Sequence, residues 1–345
     1  MSDYEKANKE MVDTMKDFNG LHTRDKINTK FGRFARFGMM DPYGRVGLAH
    51  EFLFFTKPDC HIFNPGTTVL QPELKGNSFF TDAAARYKNS LAMLQSSAGG
   101  FGIDSDISKS PFMNILSNTV SNTLDLSAVS ADTVESSTNT WGTVINYRTD
   151  GWKEDENISF SLEFTDTRWV ETYILVKAYE EYEKMIHTGY ITPPSVNGDA
   201  NSYIINKELH DTFGVYKFVL DDDFSSIIYW AYVCGCYFMN VPRDAFNDIG
   251  SDGIKFTIDF KGFCVYDMDP FILSMFNDLV LNSLGTPNIS REVHVYGNYG
   301  SYDNTLEALT NSTWPRIPFV TKQKRSRTHV LAAGMPYDYQ LRWFD

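Results

Sequence analysis

The chain has 345 residues, 42% of them hydrophobic and 15% aromatic, which is enough to bury a core in one large domain or two modest ones. The formal net charge of −13 argues against tight binding to the nucleic-acid backbone, which needs clustered lysine and arginine. We find no apolar run of membrane-helix length and no secretory signal pattern, so we expect synthesis in a cytoplasm and no membrane insertion.

The first 55 residues predict a helix followed by a β-hairpin. Ser2 and Glu5 have the spacing of a capping box, and apolar residues recur at helical intervals, which predicts a helix over residues 3–18. We expect this helix to dock on its own chain or on another subunit. Residues 31–55 contain two apolar segments around an Asp-Pro-Tyr-Gly turn at 41–44, the pattern of a hairpin.

The next region predicts helices and then a long polar segment. Thr81 and Asp82 can cap a helix that runs to about Gln95, and Pro111 is suited to the first turn of a second, shorter helix. Residues 117–140 are rich in Ser, Thr and Asn, which predicts an extended arm or loop and a domain boundary.

A compact unit follows at residues 141–190. Its predicted elements are a strand at 141–148, a turn at 149–151, a strand at 158–165 and a helix at 168–189. Asp166 or Thr167 can cap this helix, and Gly189 ends it. The apolar positions assigned to the helix begin with Trp169 and Val170.

The strongest strand pattern lies between residues 213 and 262. A strand at 213–220 is followed by an apolar strand that ends in Cys-Gly-Cys-Tyr at 234–237. After a connector, a strand alternates cleanly, with one face formed by Ile254, Phe256, Ile258, Phe260 and Gly262. Asp269 and Pro270 predict the start of a helix that ends near Asn282, and the last ten residues can add one strand.

Residues with catalytic or metal-binding chemistry form no recognisable motif. The histidines are scattered at positions 22, 50, 61, 187, 210, 294 and 329. Cys234 and Cys236 would share one face of a strand, but with Cys60 and His61 they fall short of a zinc signature, which favours buried free thiols. Acidic clusters at 154–156, 180–183 and 221–223 have the composition of solvated surface, and the third lacks the spacing of a calcium loop. We predict no catalytic, cofactor-binding or metal-binding residue and no cofactor.

A basic run near the C-terminus contrasts with the acidic chain. It consists of Lys322, Lys324, Arg325 and Arg327. The run can contact an acidic patch on an adjoining subunit, or it can be a solvated loop; the charge of the chain favours the first interpretation.

Residues 226–277 carry the most specific pattern of the chain. The Cys-Gly-Cys-Tyr strand end is joined to the alternating strand by a connector, residues 240–246, that contains Val-Pro-Arg-Asp. This arrangement resembles the closing half of the tail-tube fold of contractile bacteriophage tails, in which a Gly-Cys-aromatic segment followed by Val-Pro-x-Asp joins two barrel strands. The resemblance covers 141–280 and, more loosely, 31–65.

The resemblance implies an α+β fold. The expected core is an antiparallel β-barrel or sandwich of the phage tail-tube type with one flanking helix, to which this chain adds an N-terminal helix and hairpin and a C-terminal extension. The corresponding regions are an arm at 1–30, a hairpin, helices and polar loop at 31–140, the tube-like β domain at 141–282 and the extension at 283–345.

The resemblance also implies a structural role in the virion rather than an enzymatic one. The expected partners are other copies of the chain in a hexameric ring, whose strands join into one barrel, together with tail-tube and baseplate proteins. DNA would pass through the lumen transiently and without specific contacts. Repeating tube subunits are usually shorter than this chain, so the additional segments favour a ring at the baseplate or tube end, a tube initiator or cap.

Other functions stay open at this stage. The chain can be the major tail tube subunit itself, or a tail-associated protein that binds the cell wall or degrades glycans. The glycan alternative predicts a groove with paired acids and exposed Trp or Tyr. A cytoplasmic scaffold outside viruses is a further alternative.

Overall fold

The computed structural model describes residues 50–64, 67–95, 110–127, 129–135, 137, 142, 144, 146–153, 158–166, 169–191, 211–220, 227–246, 254–283, 317–324 and 337–344. The predicted helix at 3–18 and most of the hairpin at 31–55 lie outside these residues. Within them the protein is α+β and its strands are antiparallel, as predicted. No helix in these ranges is both long and apolar enough to span a membrane.

The strands are β1 (His50–Phe55), β2 (Ser130–Glu135), β3 (Asn146–Lys153), β4 (Ile158–Thr165), β5 (Phe213–Leu220), β6 (Ile227–Phe238), β7 (Lys255–Gly262), β8 (Cys264–Asp267), β9 (Ile317–Lys324) and β10 (Tyr337–Phe344). The α-helices are α1 (Ser78–Arg86), α2 (Lys88–Ala92), α3 (Asn114–Thr119), α4 (Glu171–His187) and α5 (Pro270–Ser283). Short 3-10 helices cover Pro72–Gly76 and Arg243–Phe246.

Six strands form the main sheet. Their order is β1-β5-β6-β7-β4, and β8 pairs with the N-terminal half of β6. The predicted alternation of β4 and β7 is confirmed, because every second residue of each strand is buried. Phe160 of β4 lies opposite Phe260 of β7, and their rings stack with centroids 5.1 Å apart. Among the described residues this sheet is open and does not close into the barrel that the resemblance implies.

Strand β6 bends in its middle, at Gly235. The residues of β6 in the first cluster are Val233 before the bend and Cys236 and Phe238 after it, so an extra residue is inserted at the bend. Pairing with β5 shows the same shift, and Gly235 has φ 62°, as in a glycine β-bulge. Cys234 and Cys236 therefore lie on opposite faces, and the prediction that they share one face was wrong.

The bend continues on the neighbouring strand. β7 and β8 are consecutive strands that are interrupted only at Phe263. They pair with β6 on the two sides of the bend, and the register does not shift between them. The Phe263 ring covers Gly235 so closely that a Cβ there would lie 2.1 Å from Phe263 Cδ2. The Cys-Gly-Cys sequence thus forms a corner near the end of β6. The strand ends at Phe238, one residue after the Tyr237 at which the sequence predicted its end.

Two hydrophobic clusters lie on the two faces of β1, β5 and the first half of β6. The first cluster contains Phe55 and Val215, together with residues of β4, β7 and helix α4. The second contains Phe54 and Phe218, together with residues of α5, β9 and β10. Neighbouring residues of one strand enter different clusters, since successive side chains point to opposite faces.

Helix α4 flanks the sheet, as predicted. Asp166 caps it, because its carboxylate accepts hydrogen bonds from the backbone N–H groups of Thr172 and Tyr173, at 3.1 Å each. The helix begins at Glu171, later than predicted, and Trp169 precedes it with 68% of its surface exposed. Tyr179 packs edge-on against Phe238 and so attaches the helix to the sheet. Helix α5 begins at Pro270 and runs to Ser283, close to its predicted bounds.

The polar region before β4 is more regular than predicted. Within 117–140, predicted as an extended arm or a loop, residues 117–119 form the end of α3 and 130–135 form β2. The predicted turn at 149–151 lies inside β3, which pairs with β2 in a separate two-stranded ribbon. The helices predicted from Thr81 and Pro111 exist but begin elsewhere: Asn77 caps α1, accepting a hydrogen bond from the Phe79 N–H, and α3 begins at Asn114.

The last strand was predicted correctly. β10 pairs with β9 in a hairpin whose Phe319, Val320 and Leu341 are buried in the second cluster. The Asn277 side chain of α5 donates to the Val320 carbonyl at 2.8 Å and accepts from the Val320 N–H at 2.9 Å. The hairpin is therefore attached to α5 by a buried pair of hydrogen bonds as well as by apolar packing.

Candidate assembly surfaces

One edge of the main sheet is formed by β1. The Thr56 N–H donates to the Gly214 carbonyl, so even-numbered residues of this strand direct their backbone groups toward β5. The odd-numbered residues direct theirs outward. Phe55 uses its outward carbonyl to accept from the Met113 N–H, but the outward groups of Glu51 and Leu53 bond to no other described residue. Among the described residues, the first half of β1 is therefore an open edge.

The Glu51 side chain is fixed beside this edge. Its carboxylate lies 3.0 Å from Lys217 Nζ and accepts a hydrogen bond from the Leu124 N–H at 2.6 Å. Lys217 also donates to the Leu124 carbonyl. This polar contact holds the segment around Leu124 against the sheet, and none of the described residues covers the edge itself.

A second open edge is formed by β8. The Met268 N–H donates to the Trp230 carbonyl, which places the even-numbered residues of β8 in bonds to β6. The backbone groups of Val265 and Asp267 point away from β6 and bond to no other described residue. Large apolar side chains accompany this edge: Tyr266 is 52% exposed, and Phe271, at the start of α5, is 63% exposed.

The remaining edge, β4, is covered. Val120 forms a β-bridge with Phe164, and the Ser121 N–H donates to the Glu163 carbonyl at 2.8 Å. The Asn122 side chain accepts from the Glu163 N–H, also at 2.8 Å. This cover extends over the C-terminal half of β4 only. An exposed strand edge such as that of β1 or β8 invites pairing with other chains.

The β2–β3 ribbon presents apolar side chains to solvent. Val134 is 55% exposed and Tyr147 is 57% exposed, and the nearby Val129 and Val144 are about as exposed. A two-stranded ribbon is marginally stable by itself, and exposed apolar groups of this kind are typical of contact sites.

The acidic and basic residues singled out in the sequence form no common site. Glu180 and Glu181 pair with Lys177 and Lys184 along α4, at 2.5 Å for the shortest contacts. Burial alone would raise the pKa of Glu180, but hydrogen bonds from the two lysines outweigh it and hold that pKa below its usual value. Residues 154–156 and 221–223 lie outside the described residues, as do Arg325 and Arg327; Lys322 and Lys324 belong to β9.

A buried acidic pair lies on the other side of α4. Burial, together with the charge of Asp211 and a hydrogen bond to it, raises the pKa of Glu183 to about 7. The hydrogen bond between the two carboxyl groups favours the protonated form of Glu183. Sequence reasoning missed this pair because the two residues are far apart in the chain.

The described residues contain no group of three or more His, Cys, Asp or Glu side chains arranged to hold a metal ion. Cys60 and Cys236 are fully buried, whereas Cys234 and Cys264 are partly exposed. The surfaces that the structure does bring together are backbone edges and apolar side chains, which no sequence motif marks.

No protein-family model and no curated protein matches this sequence. Three structures solved by cryo-electron microscopy are similar in part. A sheath/tube terminator of an extracellular contractile injection system is 10% identical, with a TM-score of 0.24 over 43% of this chain and 84% of that one. The tube-terminating cap of the anti-feeding prophage is 8% identical, with a TM-score of 0.24 over 43% and 78%.

A chain from the sheath–tube complex of an extracellular contractile injection system is 10% identical, again with a TM-score of 0.24, over 43% of this chain and 79% of that one. A TM-score of 0.24 does not establish a shared fold. The strand register and the surface of this chain therefore carry the functional inference.

Proposed function

We propose that this protein is a structural subunit of a contractile-tail particle and assembles head to tail into a closed ring. The observation that carries the proposal is the pair of short edges, β1 and β8, that no other described strand pairs with, at the two ends of one row of strands. Directions alternate along β1-β5-β6-β8, so β8 of one copy would run antiparallel to β1 of the next. That pairing would give hydrogen-bond partners to the outward backbone groups of both edges. Repeated head to tail from copy to copy, the contact produces a ring when the last copy meets the first.

The ring also accounts for the open sheet. One chain supplies part of a curved wall, and the Gly235 bend turns the wall where β6 passes from β8 to β7. A continuous barrel would then exist only in the assembly. We propose six subunits, as the resemblance of residues 226–277 to tail-tube proteins implies.

The β2–β3 ribbon supports a position of the ring beside another component of the particle. The β2–β3 ribbon carries exposed apolar side chains suited to a contact with an adjacent ring or with another tube or baseplate protein. We propose that the ring starts, continues or caps the tube in the tail of a bacteriophage virion. With a formal charge of −13 on each chain, its lumen would let DNA pass without holding it.

The protein acts through geometry in this account, and no residue is catalytic. Three alternatives differ in what they assemble: a glycan-binding or glycan-degrading tail protein, a major tube subunit and a cytoplasmic scaffold. Only the ring proposals require the β1 edge to pair with another chain.

The experiment blocks the β1 edge without disturbing the sheet. In Glu51→Pro the outward N–H is replaced by a proline ring, which edge strands tolerate at such positions. Glu51→Ala loses the same carboxylate contacts but keeps the N–H. We expect wild type and Glu51→Ala to form a ring-sized species in sedimentation and mass measurements, and Glu51→Pro to stay monomeric with an unchanged circular dichroism spectrum.

Equal assembly by the folded proline and alanine variants would contradict pairing through β1. If both variants are monomeric and the wild type is not, the Glu51 carboxylate rather than the strand edge mediates assembly. A Val265→Pro variant tests the β8 edge in the same way, with Val265→Ala as its control.

A further inference from the structure

Two cysteines face each other across the pairing of β6 and β8. Cys234 and Cys264 are register partners, so their side chains project from the same face of the two strands. Their thiols are close enough to hydrogen-bond to each other. Opposite residues in an antiparallel pair have Cα atoms about 4.5 to 5.5 Å apart, within the range that a disulfide spans.

The accessibility of the four cysteines differs. Cys60 and Cys236 have no exposed surface and lie in the first hydrophobic cluster. Cys234 and Cys264 are partly exposed and belong to neither cluster. The Gly235 bend produces this difference, because it turns Cys236 into the core and leaves Cys234 on the opposite face beside its partner.

We propose that Cys234 and Cys264 are a redox-sensitive pair that forms a disulfide across β6 and β8 by exchange with a low-molecular-weight disulfide. The inference rests on the strand register and on exposure, and it holds whether or not the protein forms a ring.

The exchange takes place in two steps. The Cys234 thiol loses its proton, and the thiolate attacks one sulfur of oxidised glutathione; a mixed disulfide forms and one glutathione thiolate leaves. The Cys264 thiol then loses its proton and attacks the Cys234 sulfur, and the second glutathione thiolate leaves. Two protein thiols are oxidised to one disulfide, one glutathione disulfide is reduced to two thiols, and each leaving thiolate takes up a proton.

The surroundings of the pair predict slow exchange at neutral pH. Burial, together with the hydrogen bond to Cys264, raises the pKa of Cys234 to about 11. Because the thiolate is the attacking species, the rate should rise about tenfold for each pH unit below that value. A pH profile therefore reports on the environment of Cys234.

The disulfide would fix an edge of the sheet. β8 has four residues and is joined to the body of the sheet by its pairing with β6. A covalent link at Cys234 and Cys264 would hold this short strand in register and slow the opening of its backbone hydrogen bonds.

The experiment treats the folded full-length protein with oxidised glutathione and measures intact mass, free thiols and the linked peptides. We expect the wild type to lose two hydrogens in mass and two reactive thiols, with Cys234 joined to Cys264 and Cys60 and Cys236 unmodified. Cys234→Ser and Cys264→Ser should each stop at a mixed disulfide with glutathione. Amide exchange at Tyr266 and Met268, whose N–H groups face β6, should slow in the oxidised wild type alone.

Three results would overturn the proposal. One is a wild type that accumulates the mixed disulfide and never releases the second glutathione. Another is a disulfide that maps to Cys60 or Cys236, and the third is a folded wild type with no thiol that reacts, even at alkaline pH. If a serine variant does not fold, peptide mapping of the wild type still decides the pairing.

Discussion

The β9–β10 hairpin and the β2–β3 ribbon are both two-stranded antiparallel elements outside the main sheet, but they differ in what covers them. In the hairpin, Phe319 and Leu341 are 2% and 1% exposed and pack in the second cluster. In the ribbon, Val134 and Tyr147 are more than half exposed. The hairpin therefore contributes to the stability of this chain, whereas no described residue covers the apolar surface of the ribbon, which is typical of a contact site.

The largest expected effect separates these two elements directly. Phe319→Ala removes a buried ring and leaves a cavity, so it should lower the free energy of unfolding by about 3 to 5 kcal/mol. Tyr147→Ala, the matched change in the ribbon, should alter it by less than about 0.5 kcal/mol. Urea denaturation of both variants measures the difference; equal losses would mean that the ribbon is packed against this chain's own core.

The next effect concerns the bend at Gly235 of β6. Trp230, earlier in the same strand, packs against Tyr339 of the hairpin. Gly235→Ala adds a Cβ at positive φ and against the Phe263 ring, and should cost about 2 to 3 kcal/mol in the free energy of unfolding. Gly189→Ala is the control: Gly189 has φ 73° and nothing within 4 Å of the added atom, so only the backbone strain, about 1 kcal/mol, should appear.

A double variant, Gly235→Ala with Phe263→Ala, removes the ring that the new Cβ meets. Its loss of stability should approach that of Gly189→Ala. A double variant as unstable as the sum of its two single variants would show that the Phe263 ring does not define the bend.

A smaller loss is expected at the attachment of the hairpin. Asn277→Ala leaves the buried N–H and carbonyl of Val320 without their partner, which should cost about 2 kcal/mol in the free energy of unfolding. Asn277→Asp keeps an acceptor for the N–H but cannot donate as a carboxylate. We expect protease cleavage of the hairpin to increase in both variants while cleavage of the ribbon stays unchanged; a parallel increase in the ribbon would contradict independent attachment.

The smallest effect lies outside both two-stranded elements, at Glu183 on α4. An unfolded glutamate titrates near its ordinary pKa of 4.5, and the folded pKa is about 7, so the folded state binds more protons between these values. Stability is therefore highest below the lower value and falls as pH rises through the higher one. With Glu183 partly exposed, we expect a fall of about 1 kcal/mol across this window.

Thermal or urea unfolding at several pH values tests this slope. Glu183→Gln, which cannot ionise, should flatten it, while Glu73→Gln on an exposed 3-10 helix should leave it as in the wild type. A slope that survives Glu183→Gln would place the titrating group elsewhere.

The sequence predicted elements whose periodicity is regular and missed those that depend on one backbone angle or on distant residues. β4, β7 and α5 were found because their apolar residues alternate or recur at helical spacing. The face of β6 on which Cys236 lies was predicted wrongly, because the positive φ of Gly235 reverses the alternation of side chains within the strand.

Composition also misled the prediction. β2 was taken for a loop because its sequence, Ser-Ala-Asp-Thr-Val-Glu, has little apolar content, and β3 continues through an Asp-Gly pair that usually marks a turn. The open edges of β1 and β8 could not be read from the sequence at all, because they depend on which strands become neighbours.

The most direct test of the central claim is negative-stain electron microscopy of the purified protein, with its mass measured in the same solution. We expect rings or short stacks of rings with a central hole, and a mass of six chains. A protein that stays monomeric up to its solubility limit, and that shows no rings, would contradict it.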